Sequence, residues 1–107
     1  MSADAIAVFM TAANREEAAR LAQMLVEKRL AACVQILPEI ESHYWWRGQV
    51  ERQPEVLLIA KTTAARFEEL EKEVIAIHSY KTPEIVAFPV SAVSKPYLEW
   101  LNTNIEG

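Results

Sequence analysis

The sequence predicts an α+β fold: a ferredoxin-like βαββαβ sandwich with a long hairpin between its second and third strands and an extra C-terminal helix. Two segments place apolar residues at three- and four-residue steps, the helical period, and the long segment between them alternates with a period of two. A strand, a crossover helix and a strand placed twice give one four-stranded antiparallel sheet with two helices on one face. The length of 107 residues predicts a single domain, 1–107.

The first strand and the first helix are predicted from the opening thirty residues. Ala5–Ala12 is a short, nearly all-apolar run of the kind that forms a strand covered on both faces. Asn14 follows, with Glu17 three residues later, a capping arrangement in which the asparagine oxygen accepts a backbone N–H and the glutamate reaches back. The helix then runs to about Arg29 on one apolar stripe of Ala18, Leu21, Ala22, Leu25 and Val26.

A long hairpin is predicted between Ala32 and Lys61. Its first strand, Ala32–Trp46, directs one alternating set of side chains to a common face, namely Ala32, Val34, Ile36, Ile40, Tyr44 and Trp46. The chain reverses at Arg47-Gly48, and the return strand continues the alternation with Val50, Val56, Leu58 and Ala60. Pro38 and Pro54 lack the backbone N–H that a ladder needs, so we expect them at edges or bulges.

The second half of the chain predicts a helix, a strand and a last helix. Thr62-Thr63 offers an N-cap for a helix with the apolar stripe Phe67, Leu70, Val74 and Ile77. Pro83 favours an extended Thr82, and the run from Ile85 to Phe88 is typical of a fourth strand that ends at Pro89. Ser94 is placed to cap a short helix that carries Tyr97, Leu98, Leu101 and Ile105.

Composition excludes several classes of function. A net charge of −4 without a lysine or arginine cluster argues against nucleic acid as a partner. The single cysteine excludes an internal disulfide, and two glycines, Gly48 and Gly107, are too few for a phosphate-cradling loop. The apolar run from Ala5 to Met10 is too short for a signal-peptide core or a membrane span. We therefore expect a cytoplasmic protein without membrane contact.

Few side chains stand out as candidates for chemistry, and we expect no catalytic residue and no enzyme. Cys33, among small apolar neighbours, is predicted to be buried and slow to react. His43 is expected to be solvated, whereas His78, at the end of the second helix, is equally compatible with a helix-capping cation and with a ligand. The acid pairs Glu16-Glu17 and Glu68-Glu69 are interpreted as surface charge.

Several segments, in order along the chain, resemble the CutA divalent-cation-tolerance family. The resemblance runs from about Ile6 to Trp100 and rests on Asn14-Arg15-Glu16-Glu17-Ala18, Leu30-Ala31-Ala32-Cys33-Val34, Tyr44-Trp45-Trp46-Arg47-Gly48, Lys61-Thr62, Tyr80-Lys81-Thr82-Pro83-Glu84-Ile85 and Tyr97-Leu98-Glu99-Trp100. It implies a ferredoxin-like homotrimer, similar in architecture to the PII signal-transduction proteins, and a link to tolerance of metal ions, copper above all.

The resemblance also implies a place for copper. Some family members are described with a cysteine late in the first strand and a His-His pair before the Pro-Tyr that ends the second helix. The corresponding residues here are Met10, Ile77, His78 and Ser79. A thioether still binds Cu(I), but two side chains fall short of the three or four ligands of a closed site. We expect Met10 and His78 to bind copper or another divalent cation weakly or not at all, and no other cofactor.

The aromatic run Tyr44-Trp45-Trp46 near the hairpin tip predicts self-association. A strand as long as Ala32–Trp46 would extend roughly 50 Å, whereas a compact domain of this length is only about 34 Å across. The hairpin must therefore bend at its prolines or project, and a projecting arm exposes apolar surface and unpaired edges. We expect the three aromatic residues in the interface of a homotrimer, the number three being implied by the resemblance. An aromatic cluster folded back onto the helices is the alternative.

Three functions follow as hypotheses. The first is a non-enzymatic response to metal ions. The second is a PII-like small-molecule sensor with a cleft where four residues end their elements, Lys61, His78, Tyr80 and Glu84, although the shortage of glycine and basic residues argues against a nucleotide. The third is a trimeric scaffold that anchors a partner protein.

Overall fold

The fold follows the predicted order of elements. A computed structural model describes residues 4–106, so residues 1–3 and 107 of the predicted domain lie outside the described part. Its strands are β1 (Ala5–Ala12), β2 (Cys33–Trp46), β3 (Gln49–Thr63) and β4 (Ile85–Pro89). Its helices are α1 (Arg15–Glu27), α2 (Phe67–Ile77) and α3 (Lys95–Glu106). Over residues 4–106, no helix is both long and apolar enough to cross a membrane.

The four strands form one antiparallel sheet in the order β2-β3-β1-β4, which confirms the predicted α+β sandwich. Helices α1 and α2 cover one face. The core between the helices and the sheet is built from the alternating residues of β1 and β3 and the stripes of both helices, including Val8, Met10, Leu21, Leu25, Leu58, Leu70 and Val74. A smaller apolar cluster joins α3 to the start of β2 through Ala32, Leu101 and Ile105.

Helix α1 begins and ends with local hydrogen bonds. The Asn14 side chain accepts the Glu17 N–H at 2.8 Å, and the Glu17 carboxylate accepts the Ala13 N–H at 3.0 Å, as the capping pattern predicts. At the other end, the Leu30 N–H donates to the Leu25 carbonyl across Arg29, whose φ is 60°. This left-handed residue closes a Schellman turn, a place usually given to glycine.

The predicted cap of α2 differs from the observed one. Thr62 is still part of β3, opposite Ile6, and its buried hydroxyl has no hydrogen-bond partner. Thr63 precedes a short 3₁₀ turn at 64–66 but gives it no side-chain bond. Strand pairing with β1 extends to Thr63, so both threonines belong to the sheet, and the residue that precedes α2 is Arg66. Ser94 does immediately precede α3, and its carbonyl accepts the Leu98 N–H.

A β-bulge at Pro38 changes the predicted faces of the hairpin. Leu37 pairs with Leu57, but the next pair is Ile40 with Glu55, so β2 contains an extra residue there. The alternation is therefore reversed beyond the bulge. Val34 and Ile36 face the core, whereas Ile40, Tyr44 and Trp46 lie on the opposite face, which corrects the prediction that all five point the same way. The bulge itself is where Pro38 was expected.

The hairpin projects beyond the body of the domain. Strand β1 pairs with β3 only as far as Val56, so the hairpin beyond that point is a two-stranded arm. Pro54 lies just past this limit, where β3 has no neighbour on its second side. The molecule measures 46 × 25 × 23 Å, and the arm accounts for the long dimension. Of the two predicted alternatives, projection is the observed one.

The turn at the hairpin tip depends on Gly48. Arg47 and Gly48 have φ angles of 51° and 81°, the pattern of a type I′ turn. We expect Gly48→Ala to lower the free energy of unfolding by about 1 kcal/mol, because a Cβ is disfavoured at positive φ. A Cβ there meets nothing within 4 Å, so the cost is conformational only. Urea denaturation measures it, with the exposed Gln49→Ala as control; equal stability of the two variants would contradict the assignment.

Candidate functional site

A buried carboxylate joins the start of α1 to the end of α2. Glu17 is 3% exposed. Its carboxylate accepts the Ser79 N–H at 2.6 Å and the Ser79 hydroxyl at 3.0 Å, in addition to the Ala13 N–H. Burial opposes ionisation, but these hydrogen bonds outweigh it and lower the pKa of Glu17. The prediction that Glu17 is surface charge is therefore wrong.

His78 is locked between two backbone groups. Its side chain is fully buried. The Tyr80 N–H donates to Nδ1 at 2.9 Å, which leaves Nε2 as the protonated nitrogen, and Nε2 donates to the Thr11 carbonyl at 2.8 Å. The imidazole is thus neutral in this arrangement and fixes the loop after α2 to the end of β1. His78 is the C-cap of α2: its backbone N–H donates to the Val74 carbonyl at 2.9 Å, whereas its side chain bonds Thr11 and not the helix.

Met10 and His78 do not fit a resident copper ion. Met10 is fully buried in the apolar core between the sheet and the helices. Both nitrogens of His78 already have partners, so neither offers a free lone pair to a metal. Over residues 4–106, no three His, Cys, Asp or Glu side chains come together as a metal-binding group. These placements give a structural reason for the expectation that copper binds weakly or not at all at these two residues.

A cavity of about 580 Å³ lies at the base of the hairpin arm, beside the loop that follows α2. Tyr80 and Glu84, two of the residues expected in a cleft, both line it. The Tyr80 hydroxyl donates to the Glu55 carboxylate at 2.7 Å. Burial, together with that hydrogen bond, raises the pKa of Tyr80, and burial with the nearby charge of Glu55 raises the pKa of Glu84.

Lys61 lies away from this cavity. It is opposite Cys33 and Ala7, near the other end of the sheet, and its ammonium group donates to the Gln35 side chain. His78 does not line the cavity either, although its ring lies 4.8 Å from that of Tyr80. The structure therefore brings together two of the four expected cleft residues.

Glu55 is a buried cavity residue that sequence reasoning missed. It is 7% exposed, although an acidic residue in an alternating strand is usually interpreted as solvent-facing. Its position next to Pro54, close to the end of β1 pairing, was the available signal. Because Val56 faces the core, Glu55 points to the sheet face away from the helices.

The aromatic residues of the arm are exposed, not folded back onto the helices. Trp45 is 74% exposed, and Tyr44 and Trp46 are each exposed by roughly half while lining the cavity. The Arg47 guanidinium lies 5.6 Å from the centre of the Trp46 ring. His43 is exposed and pairs with Glu41 at 2.6 Å, as expected of a solvated residue.

Cys33 is half-buried rather than buried. The side chain of its neighbour Ala32 points into the apolar cluster with α3. Because successive side chains of a strand alternate, the Cys33 thiol points to the sheet face away from α1 and α2. It lies beside Tyr97 of α3, whose pKa is raised by burial and by this thiol. The Cys33 thiol is thus partly covered by Tyr97, an exposed aromatic residue of α3. The alternation of β2 alone does not predict this contact.

Known proteins are similar to this chain both in sequence and in architecture. The family model of the CutA1 divalent ion tolerance protein matches residues 6–104. The divalent-cation tolerance protein CutA of Archaeoglobus fulgidus is 44% identical over 99 residues, 92% of this chain and 96% of that protein. Protein CutA 1 of Oryza sativa, described as chloroplastic, is 43% identical over 99 residues, 92% of this chain and 56% of that protein.

The structural comparison agrees with the sequence comparison. A solved structure from Archaeoglobus fulgidus, described as a periplasmic divalent cation tolerance protein CutA, matches with a TM-score of 0.92 at 42% identity. The match covers 94% of this chain and 98% of that one. The family model and the relatives thus extend over both the sheet and the helices, and the chain belongs to the CutA1 divalent ion tolerance family.

Proposed function

We propose that this protein is a non-enzymatic, cytoplasmic homotrimer that takes part in the response to divalent metal ions, copper foremost. Family membership carries the link to metal ions, and the projecting hairpin arm carries the proposal of self-association. The arm presents Trp45 and Trp46 to solvent in the isolated subunit, and a soluble monomer rarely exposes such aromatic surface.

The uncovered face of the sheet also supports assembly. Phe9 and Phe88 pack edge to face, with ring centres 4.9 Å apart, on the side away from α1 and α2. Phe88 is 48% exposed, and Val86 and Leu37 on the same face are exposed to a similar degree. Antiparallel sheets tolerate one wet face when that face is polar, but this one exposes three large apolar side chains, Leu37, Val86 and Phe88. A neighbouring subunit would cover both this face and the arm.

The assembly should weaken when an aromatic side chain near the tip of the hairpin arm is shortened. Light scattering on a sizing column is expected to give about three times the chain mass of 12.1 kDa. Trp46→Ala should weaken the assembly at concentrations where the subunit stays folded, because it removes aromatic area from the contact. Ile75→Ala, an equally exposed residue on the helical layer, is the matched control. A stable wild-type monomer at micromolar concentration would refute the proposal.

The metal response is proposed to operate without a tight resident ion at Met10 and His78. A host strain lacking the gene should be more sensitive to copper, and both the wild-type gene and a Met10→Leu version should restore growth. Equal growth of the deleted and restored strains over a series of copper and zinc concentrations would refute the proposed metal response. Failure of Met10→Leu alone would instead point to a role for the thioether.

A second candidate function is a PII-like small-molecule sensor, and the cavity beside Glu55 favours it. Its volume lies within the range of small-molecule sites, and aromatic and polar side chains converge on it. Titration with Cu(I), Cu(II), Zn(II) and nucleotides separates the candidates. Metal binding favours the first function and nucleotide binding the second. A protein silent to all of them is best explained as a trimeric scaffold that anchors a partner.

A further inference from the structure

Helix α3 packs apart from the main core. Its two buried side chains, Leu101 and Ile105, meet Ala32 in a small cluster, whereas the buried apolar residues of α1 and α2 belong to the large core between the helices and the sheet. No ion pair among residues 4–106 involves α3. An element that is joined to a fold by so little buried apolar surface opens locally at a lower free energy than the whole domain unfolds.

Two arginines hold the C-terminal end of α3. The Arg29 guanidinium donates to the Asn104 carbonyl at 3.0 Å, and the Arg66 guanidinium donates to the Ile105 carbonyl at 3.1 Å. Both carbonyls lie in the last turn of α3, where carbonyls have no partner within the helix and the helix dipole is negative. Arg29 follows α1 and Arg66 precedes α2, so the arginine pair connects α3 to both helices of the core.

Arg29 occupies a backbone position that suits glycine better. Its φ of 60° is left-handed, a conformation that an L side chain disfavours and that glycine adopts freely. The turn itself does not need a guanidinium, since its hydrogen bonds join backbone groups. Residues that break a local rule are expected where another role requires them. The hydrogen bond to Asn104 of α3 is such a role.

We propose that α3 is a strap: it undocks as one unit while the main core stays folded, and Arg29 and Arg66 set how often it opens. Opening uncovers Ala32, just before the edge strand β2, and frees two guanidinium groups. The inference concerns a movement within the subunit. It depends neither on the metal response nor on a bound small molecule.

Hydrogen exchange of the purified full chain in its assembled form, followed by mass spectrometry, measures the opening. After correction for intrinsic rates, we expect the amides of α3 to exchange about tenfold or more faster than the paired amides of β1 and β3. Equal protection of α3 and these two strands would mean that α3 opens only when the whole domain unfolds. That result would overturn the proposal, whether α3 is held within its own subunit or by a neighbouring one.

Arg29→Gly separates the docking of α3 from the stability of the domain. We expect the free energy of global unfolding, measured with urea, to stay nearly unchanged, because relief of the positive φ offsets the greater freedom of glycine in the unfolded chain. Exchange in α3 should become about tenfold faster, because a hydrogen bond from a charged donor is lost. Unchanged exchange in α3, or equal acceleration throughout the chain, would refute the role of Arg29.

Arg66→Gln tests the other member of the pair and has a matched control. We expect it to accelerate exchange in α3 about tenfold and to leave β1 and β3 unaffected. Arg20→Gln makes the same charge change at an exposed residue of α1, and its exchange in α3 should match the wild type. Equal acceleration by Arg66→Gln and Arg20→Gln would reduce the effect to overall charge and refute the role of the arginine pair.

Discussion

Glu17→Ala is expected to lower the free energy of unfolding by about 3 kcal/mol, a large part of the stability of a domain of this size. The substitution deprives the Ala13 and Ser79 N–H groups and the Ser79 hydroxyl of their shared acceptor. Each buried donor left without a partner costs about 1–3 kcal/mol, partly offset where water enters. Chemical denaturation with urea measures the loss.

The neighbour Glu16 provides the control. Glu16→Ala removes an equal charge from the same first turn, but Glu16 is exposed and its stability effect should stay within about 0.5 kcal/mol. Similar losses for the two variants would mean that the helix dipole, not the buried hydrogen bonds, explains the role of Glu17.

The same carboxylate predicts a loss of stability in acid. Because folding lowers the pKa of Glu17 below its ordinary value of 4.5, its contribution is complete above that value and is lost as the pH falls through the lower folded pKa. Glu17→Gln has no such titration, so the stability gap between it and the wild type should narrow from neutral pH to about pH 3. A gap that is constant or widens over this range would contradict the assignment.

Met10→Ala is expected to cost about 3 kcal/mol, because it leaves a cavity in the core where Met10 is fully buried. Met10→Leu nearly conserves the volume and should cost less than about 1.5 kcal/mol. The pair separates packing from metal binding, since leucine fills the space but has no sulfur. Thermal and urea unfolding of both variants measure the packing effect.

Copper titration of Met10→Leu completes the experiment. We expect its Cu(I) affinity to equal that of the wild type, with no stoichiometric sub-micromolar site in either protein. A tight site that is present in the wild type and lost in both Met10→Leu and His78→Ala would show that the two side chains rearrange to hold the ion.

The sequence predicted the elements whose determinants are local. The cap at Asn14, the apolar stripe of α1 and the turn at Arg47-Gly48 each depend on residues a few positions apart, and all three are observed. The order of elements then limited the topology to the split βαβ arrangement. Tyr80 and Glu84 were expected in a cleft because they lie at element ends, where loops meet a sheet edge.

The rest depended on distant partners. Glu17 is buried because Ser79, 62 positions away, comes to rest against it, and Glu55 because Tyr80 folds back across the end of β1. No spacing rule links such pairs. The aromatic faces of the arm were misassigned for a different reason, since one extra residue at Pro38 reverses every side chain beyond it.

The sheet order has a consequence for the nascent chain. Strand β1 is synthesised first but lies inside the sheet, where Ile6 pairs with Thr62 on one side and Pro89 on the other. The β2–β3 hairpin can form as soon as its own residues leave the ribosome, whereas β1 must wait for partners made much later. Until β4 emerges, the apolar strand β1 has an open edge, so the sheet is completed only after Ile85–Pro89 has left the ribosome.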